Sequence, residues 1–236
     1  MIMNKYLLTC ILFFSFANEL YAKHYILGTN SYLTSGKFEI ISDIEVSNLK
    51  IRHVRRIDAT ICQNSSQHDD HIEMSGPINP DTPFIIERLL KRIEDSPNRC
   101  RNTEGKRFAI TIYMNSGGGY LEDGYKLGNL FREQQVNTRL VGSAECYSSC
   151  ATAYLGGKFR AMTEGGKLMF HAPYSYSSRY DISCARKDDR LLSYMKKMLN
   201  NTDGEFLYKR TMSYCSQSSG WSLNKDAAEI FGLLNQ

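Results

Sequence analysis

The chain has 236 residues, 42% of them hydrophobic and 23% charged, with a formal net charge of +4. Such a length holds one domain of about 200 residues with a full core, and the balance excludes disordered and collagen-like classes. Lys and Arg are scattered and form no run, so the positive excess reads as a solvated surface and no nucleic-acid partner is expected.

Residues 1–22 are set apart by a basic start (Met1–Lys5), an apolar run (Tyr6–Phe16) and Leu20-Tyr21-Ala22 before Lys23. This is the pattern of a secretory signal peptide cut after Ala22. The run is too short for a comfortable transmembrane helix, so a periplasmic protein without stable membrane insertion is expected. Cys10 lacks the small-residue setting of a lipidated cysteine. Six cysteines follow: Cys62, Cys100, Cys146, Cys150, Cys184 and Cys215. An even count in an exported chain points to disulfides. Zinc fits less well, because Cys146 and Cys150 are not spaced as C-x-x-C and the others are isolated. Pairing of sequence neighbours is expected: Cys62–Cys100, Cys146–Cys150 and Cys184–Cys215.

In chain order, 23–36 reads as irregular, and Phe38–Ile61 as two strands turning near Ser47-Asn48. His68-Asp-Asp-His71 raises a metal reading. With no further ligand at metal-site spacing it reads as a solvated loop, and neither metal nor cofactor is expected. His71–Ser75 is a short strand. Thr82 as N-cap and Pro83 at the first helical position start a helix that runs to about Asp95, with Phe84, Leu89, Leu90 and Ile93 inward, and Ser96-Pro97-Asn98 stops it.

Phe108–Met114 is apolar enough for a fully buried strand. It enters Gly117-Gly118-Gly119 and then a helix over Leu121–Gln135. Strands at Leu140–Ala144 and Lys167–His171 flank a helix that begins near Ser149 and ends at Gly156-Gly157. A Tyr- and Ser-rich loop over 172–186 follows. A helix over Arg190–Ser213, with a break near Asn200–Gly204, and a short one over Asn224–Phe231 capped by Gly232 complete the chain. The alternation predicts a parallel α/β sheet with right-handed crossovers and a ligand site at the strands' carboxyl ends.

Both the Gly triplet and Cys146–Ser149 fall at such ends. Gly117, Gly118 and Gly119 can present amide N–H groups to an oxyanion or a phosphate, or simply make a tight turn. Ser148 or Ser149 can be a nucleophile or a helix cap. His171 can be its base or a packed residue; the other histidines (24, 53, 68 and 71) all precede the βα core.

Asn115-Ser-Gly-Gly-Gly119 with Gly124, Cys146-Tyr-Ser-Ser-Cys-Ala151, Gly156-Gly157, Arg160 and Met169-Phe-His-Ala-Pro173 together resemble the Clp-protease proteolytic subunit of the Clp/crotonase superfamily. Among its members the chain is most similar to the exported branch with Cys-x-Ser-x-Cys. Ala227-Ala-Glu-Ile-Phe-Gly-Leu233 resembles the family's ending, so the similarity spans about Ile72–Leu234. It implies a Clp/crotonase-like α/β fold with an N-terminal β extension (23–70) before the domain proper (71–236) and C-terminal helices. It also implies Ser148 as nucleophile, with Ser149 the alternative, and His171 as base. Amides of Gly118 and Ser149 would form the oxyanion hole, with Gly117 and Gly119 in support. The substrate would be a peptide or protein, and a homo-oligomer is possible by analogy with the family's rings. The chain departs in three places. Gly117 stands where the family has Pro, the Ser-to-His spacing is shorter, and Ser213–Gly220 has no carboxylate where the family has its third triad Asp. The alternatives that stay open are a weak or inactive binding protein and, less suited to an exported chain, acyl-CoA chemistry.

Overall fold

The computed structural model describes residues 23–33, 37–57, 70–96, 108–176, 182–216 and 219–235. The expected leader, the Cys62–Cys100 pair, His68 and the helix stop at Pro97-Asn98 lie outside them. A small ribbon, β1 (His24–Tyr25) and β2 (Tyr32–Leu33), occupies part of the segment expected to be irregular. β3 (Phe38–Val46) and β4 (Leu49–Arg56) form the expected hairpin. Its two-residue turn holds Ser47 and Asn48 at φ 50° and 66°, the twist that suits a two-residue connection.

After β5 (His71–Ser75) comes α1 (Asp81–Glu94). The helix starts earlier than the sequence reading placed it. Asn79 Oδ1 accepts from the N–H groups of Asp81 and Thr82, while Thr82 Oγ1 accepts from Asn79 N–H. Asn79 is therefore the capping residue, Pro80 takes the first helical position, and Thr82 closes the box three residues on. Phe84, expected inward, is 57% exposed; Ile86, at helical spacing from Leu89, Leu90 and Ile93, takes its place in the buried stripe.

The chain continues through β6 (Thr111–Asn115), α2 (Leu121–Glu133), β7 (Asn137–Leu140), β8 (Glu145–Tyr147), α3 (Ser149–Tyr154), β9 (Arg160–Met162) and β10 (Lys167–Phe170). The strand expected at Leu140–Ala144 ends where it was to begin. Val141–Ala144 is a turn, with Ala144 N–H on Val141 O and Gly142 at φ 55°. That turn carries the chain into another layer, so the single sheet of the sequence reading is two. One has six strands in the order β3-β4-β5-β6-β7-β9, parallel from β5 to β9. Within the 172–186 segment, β11 (Tyr174–Tyr176) pairs antiparallel with β12 (Ile182–Cys184). The other sheet joins β8 and β10 in parallel, with β13 (Trp221–Leu223) antiparallel at its edge. The long C-terminal helix breaks at Leu199-Asn200 into α4 (Asp189–Met198) and α5 (Asn201–Met212), because Asn200 Oδ1 caps the second piece through Asp203 N–H. α6 (Lys225–Ile230) ends at Gly232, φ 67°.

The α/β class and the mostly parallel central sheet stand as expected. β5 and β6 are buried on both faces, as parallel strands require. One face carries Ile51, Ile72, Met74, Ile112 and Met114 in the main core with Leu89, Leu90 and Phe131 of the helices. The other face is covered by the N-terminal ribbon, where Ile26 and Leu33 meet Tyr113 and Val141. Its centre is polar: Glu73 accepts from His24 and His71. Burial opposes the charged carboxylate, but those hydrogen bonds outweigh it and hold Glu73 at about 2. Asp70 and His71, expected in a solvated loop, are both buried. No described helix is long and apolar enough to cross a membrane.

Candidate active site

Ser148 lies between β8 and α3 at φ 56° and ψ −122°. A non-glycine residue holds such a conformation only when its surroundings impose it, at a cost of about 1–3 kcal/mol. Here the Ser148 N–H donates to Met169 O on β10 at 2.8 Å, and its carbonyl accepts from Thr152 N–H at 3.0 Å. Cys146 and Cys150 are bridged across the turn with Cα atoms 5.1 Å apart, and both are buried. Opening this clasp by a Cys146→Ala/Cys150→Ala double substitution is expected to lower stability by roughly 2 kcal/mol, as for a short closed loop. It should also slow any reaction at Ser148, since the strained turn can then relax. Urea unfolding and the rate of covalent labelling measure the two effects.

The adjacent serines face different ways. Ser148 lines a cavity of about 470 Å³ together with His171, Leu121, Phe170, Leu191 and Thr211. Ser149 Oγ is buried without a hydrogen-bond partner. It lies against α2, where a Cβ on Gly124 would stand 2.6 Å from Ser149 O and 2.9 Å from Ser149 Cβ. That close approach packs the start of α3 directly on α2.

The Gly triplet borders the same place. Gly117, Gly118 and Gly119 line a second opening of about 510 Å³ with Ser148 and His171. Gly118 has φ 97°, and a Cβ there would stand 2.7 Å from Ser148 Cβ. Its N–H donates to Ser116 Oγ at 3.0 Å, so oxyanion binding at this amide requires that hydroxyl to yield or share the bond. The carbonyl of Gly118 and the N–H of Tyr120 pair with Ile78, which turns the Gly119 N–H away from that ladder. The Ser149 N–H belongs to the first turn of α3, whose donors have no intrahelical acceptor.

His171 follows β10 and is 8% exposed. Its Nδ1 is 3.0 Å from the carbonyl oxygen of Ala172. A carbonyl can only accept, so Nδ1 carries the proton and the neutral ring leaves Nε2 as a base. Ala172 N–H in turn donates to Tyr214 O at 2.8 Å. The next residue, Cys215, is bridged to Cys184 of β12 with Cα atoms 5.7 Å apart. The 213–216 segment thus supplies a backbone carbonyl, not a carboxylate, and holds the peptide that orients the ring. Sequence reasoning left the group that holds the ring open between a Ser hydroxyl and a backbone carbonyl, because a main-chain acceptor has no residue-type signature. It missed Thr211, whose buried Oγ1 has no partner in a largely apolar cavity.

No protein-family model matches the sequence, and no curated protein does. Among solved structures the chain is similar to the 1510-N membrane-bound stomatin-specific protease. One single-site mutant of that protein aligns at 16% identity and a TM-score of 0.51, over 68% of this chain and 74% of that one. A second mutant of it, in complex with a substrate peptide, aligns at 17% and 0.52, over 68% and 70%. The two proteins share a fold. ClpP1 from Listeria monocytogenes aligns at 18% identity and a TM-score of 0.47, over 68% of this chain and 86% of that one. The likeness to the stomatin-specific protease structures agrees with the expected mostly parallel α/β architecture at the level of fold.

Proposed function

We propose that the chain is an exported Clp-protease-like serine peptidase, with residues 1–22 as its leader, 23–70 as an extension and 71–236 as the catalytic domain. The observation that supports this reading is that Ser148, at a strained strand-to-helix turn, and His171, whose Nδ1 is tied to Ala172 O, line the wall of one cavity. In this reading Ser148 Oγ attacks the peptide carbonyl and His171 Nε2 takes its proton. The amides of Gly118 and Ser149 receive the oxyanion, with Gly117 and Gly119 shaping the turn. The Cys146–Cys150 and Cys184–Cys215 bridges suit an oxidising compartment such as the periplasm. The substrate peptide bound to the stomatin-specific neighbour supports a peptide or protein substrate. Assembly of several copies is part of this reading through the motif resemblance to the ring-forming family.

Leu121, Phe170 and Leu191 in the cavity favour an apolar substrate side chain beside the scissile bond. Digestion of an unstructured protein followed by mass spectrometry of the products tests both parts. Cleavage after medium-sized apolar residues is expected, and cleavage after charged residues would overturn the assigned pocket. A second reading, a peptide-binding relative with little turnover, is favoured by the Gly118 amide already engaged by Ser116 and by a backbone carbonyl as the acceptor at His171 Nδ1. It would be supported by saturable peptide binding without products.

A further inference from the structure

Away from the cavity, on the sheet face under the N-terminal ribbon, His24, His71 and Glu73 place one ligand atom each within 4.8 Å of one another. We propose that these three side chains bind a divalent transition-metal ion of the zinc class, which clips the N-terminal ribbon to the central sheet. Residues 24 and 71 are far apart in sequence, and antiparallel pairing of β1 with β2 sets His24 over β5. Both imidazole Nε2 atoms converge on the same oxygen, Glu73 Oε1, at 2.6 and 3.1 Å. A tetrahedral ion about 2.1 Å from each ligand needs ligand atoms only slightly further apart.

The surroundings suit a ligand set. Glu73 Oε2 accepts the Leu27 N–H at 3.1 Å, which fixes the carboxylate and leaves Oε1 for the ion. Metal binding at Nε2 displaces the proton that His71 donates to Glu73 Oε1 and moves it to Nδ1, which is buried without a partner. Two neutral imidazoles and one carboxylate carry one negative charge. That donor set suits zinc, cobalt or nickel, and it offers too few oxygens for calcium or magnesium. The His24 side chain is 13% exposed while His71 and Glu73 are sealed, so an ion enters from the ribbon side. Tyr113 stands on the neighbouring strand in register with Glu73, its ring edge-on to His71.

The test is calorimetric titration of Zn²⁺ into the purified, chelator-treated chain, repeated with Co²⁺ and read by visible absorption. One ion per chain, the d–d bands of a low-coordinate cobalt site, and a rise in melting temperature on loading are expected. His24→Ala removes the ligand that is partly exposed and so least disturbs folding. It should weaken binding more than about tenfold, and Glu73→Gln should do the same. Limited proteolysis should cut within residues 23–33 faster after chelation. Absence of stoichiometric binding by the wild-type chain, or binding unchanged in His24→Ala, would overturn the proposal.

Discussion

Replacing Ser148 with alanine is expected to lower peptide hydrolysis by roughly 10³-fold or more, and replacing His171 with alanine to lower it as far. The two act as one unit, so the double variant should fall no further. Neither change should unfold the chain. Alanine at this turn inherits the same φ, held by the Met169 and Thr152 hydrogen bonds, and the His171 ring hydrogen-bonds to the carbonyl of its own neighbour. Ser149→Ala is the contrast. Its hydroxyl is buried, unpartnered and turned toward α2, so its removal should leave kcat/KM within about threefold and stability unchanged or slightly higher. Comparing kcat/KM on one peptide for the four variants decides between the serines. Activity that survives in Ser148→Ala and is lost in Ser149→Ala would reverse the assignment.

Gly118→Ala is expected to be the most damaging change that leaves every reacting side chain in place. At φ 97° a Cβ is strained, and it would stand 2.6 Å from Tyr147 O and 2.7 Å from Ser148 Cβ. Both obstacles belong to the nucleophile turn, so the Gly118 backbone or Ser148 must move. Losing one well-placed oxyanion donor costs about 10²–10³ in turnover, and the strain should lower stability by about 1–3 kcal/mol. Gly117→Ala is the control, because a Cβ there meets nothing within 4 Å. Turnover, with thermal melting to separate folding from catalysis, measures both. Equal behaviour of the two variants would contradict the assigned geometry.

Much of the fold was legible where a pattern is long. The apolar run ending at Met114, the Gly triplet and the α2 periodicity put strand, turn and helix in place, and Ser47-Asn48 marked its hairpin. The split into two sheets was not legible. β8 and β9 are three residues each, too short for a periodicity, and their partners are chosen by contacts distant in sequence. At the site, Ser148, His171 and the glycines announced themselves through residue type at strand ends. The Ala172 carbonyl could not, and Ser116 on the Gly118 amide depends on a rotamer. His71 was read with its neighbours at 68–70, whereas its partners in space are Glu73, two residues along the strand, and His24, which only the fold brings near.

Labelling with a fluorophosphonate probe, followed by peptide mapping of the adduct, tests most directly whether Ser148 is a nucleophile activated by His171. A single adduct on Ser148 is expected in the wild-type chain and in Ser149→Ala, with none in His171→Ala. An adduct on Ser149, or no adduct on a correctly folded wild-type chain, would contradict it.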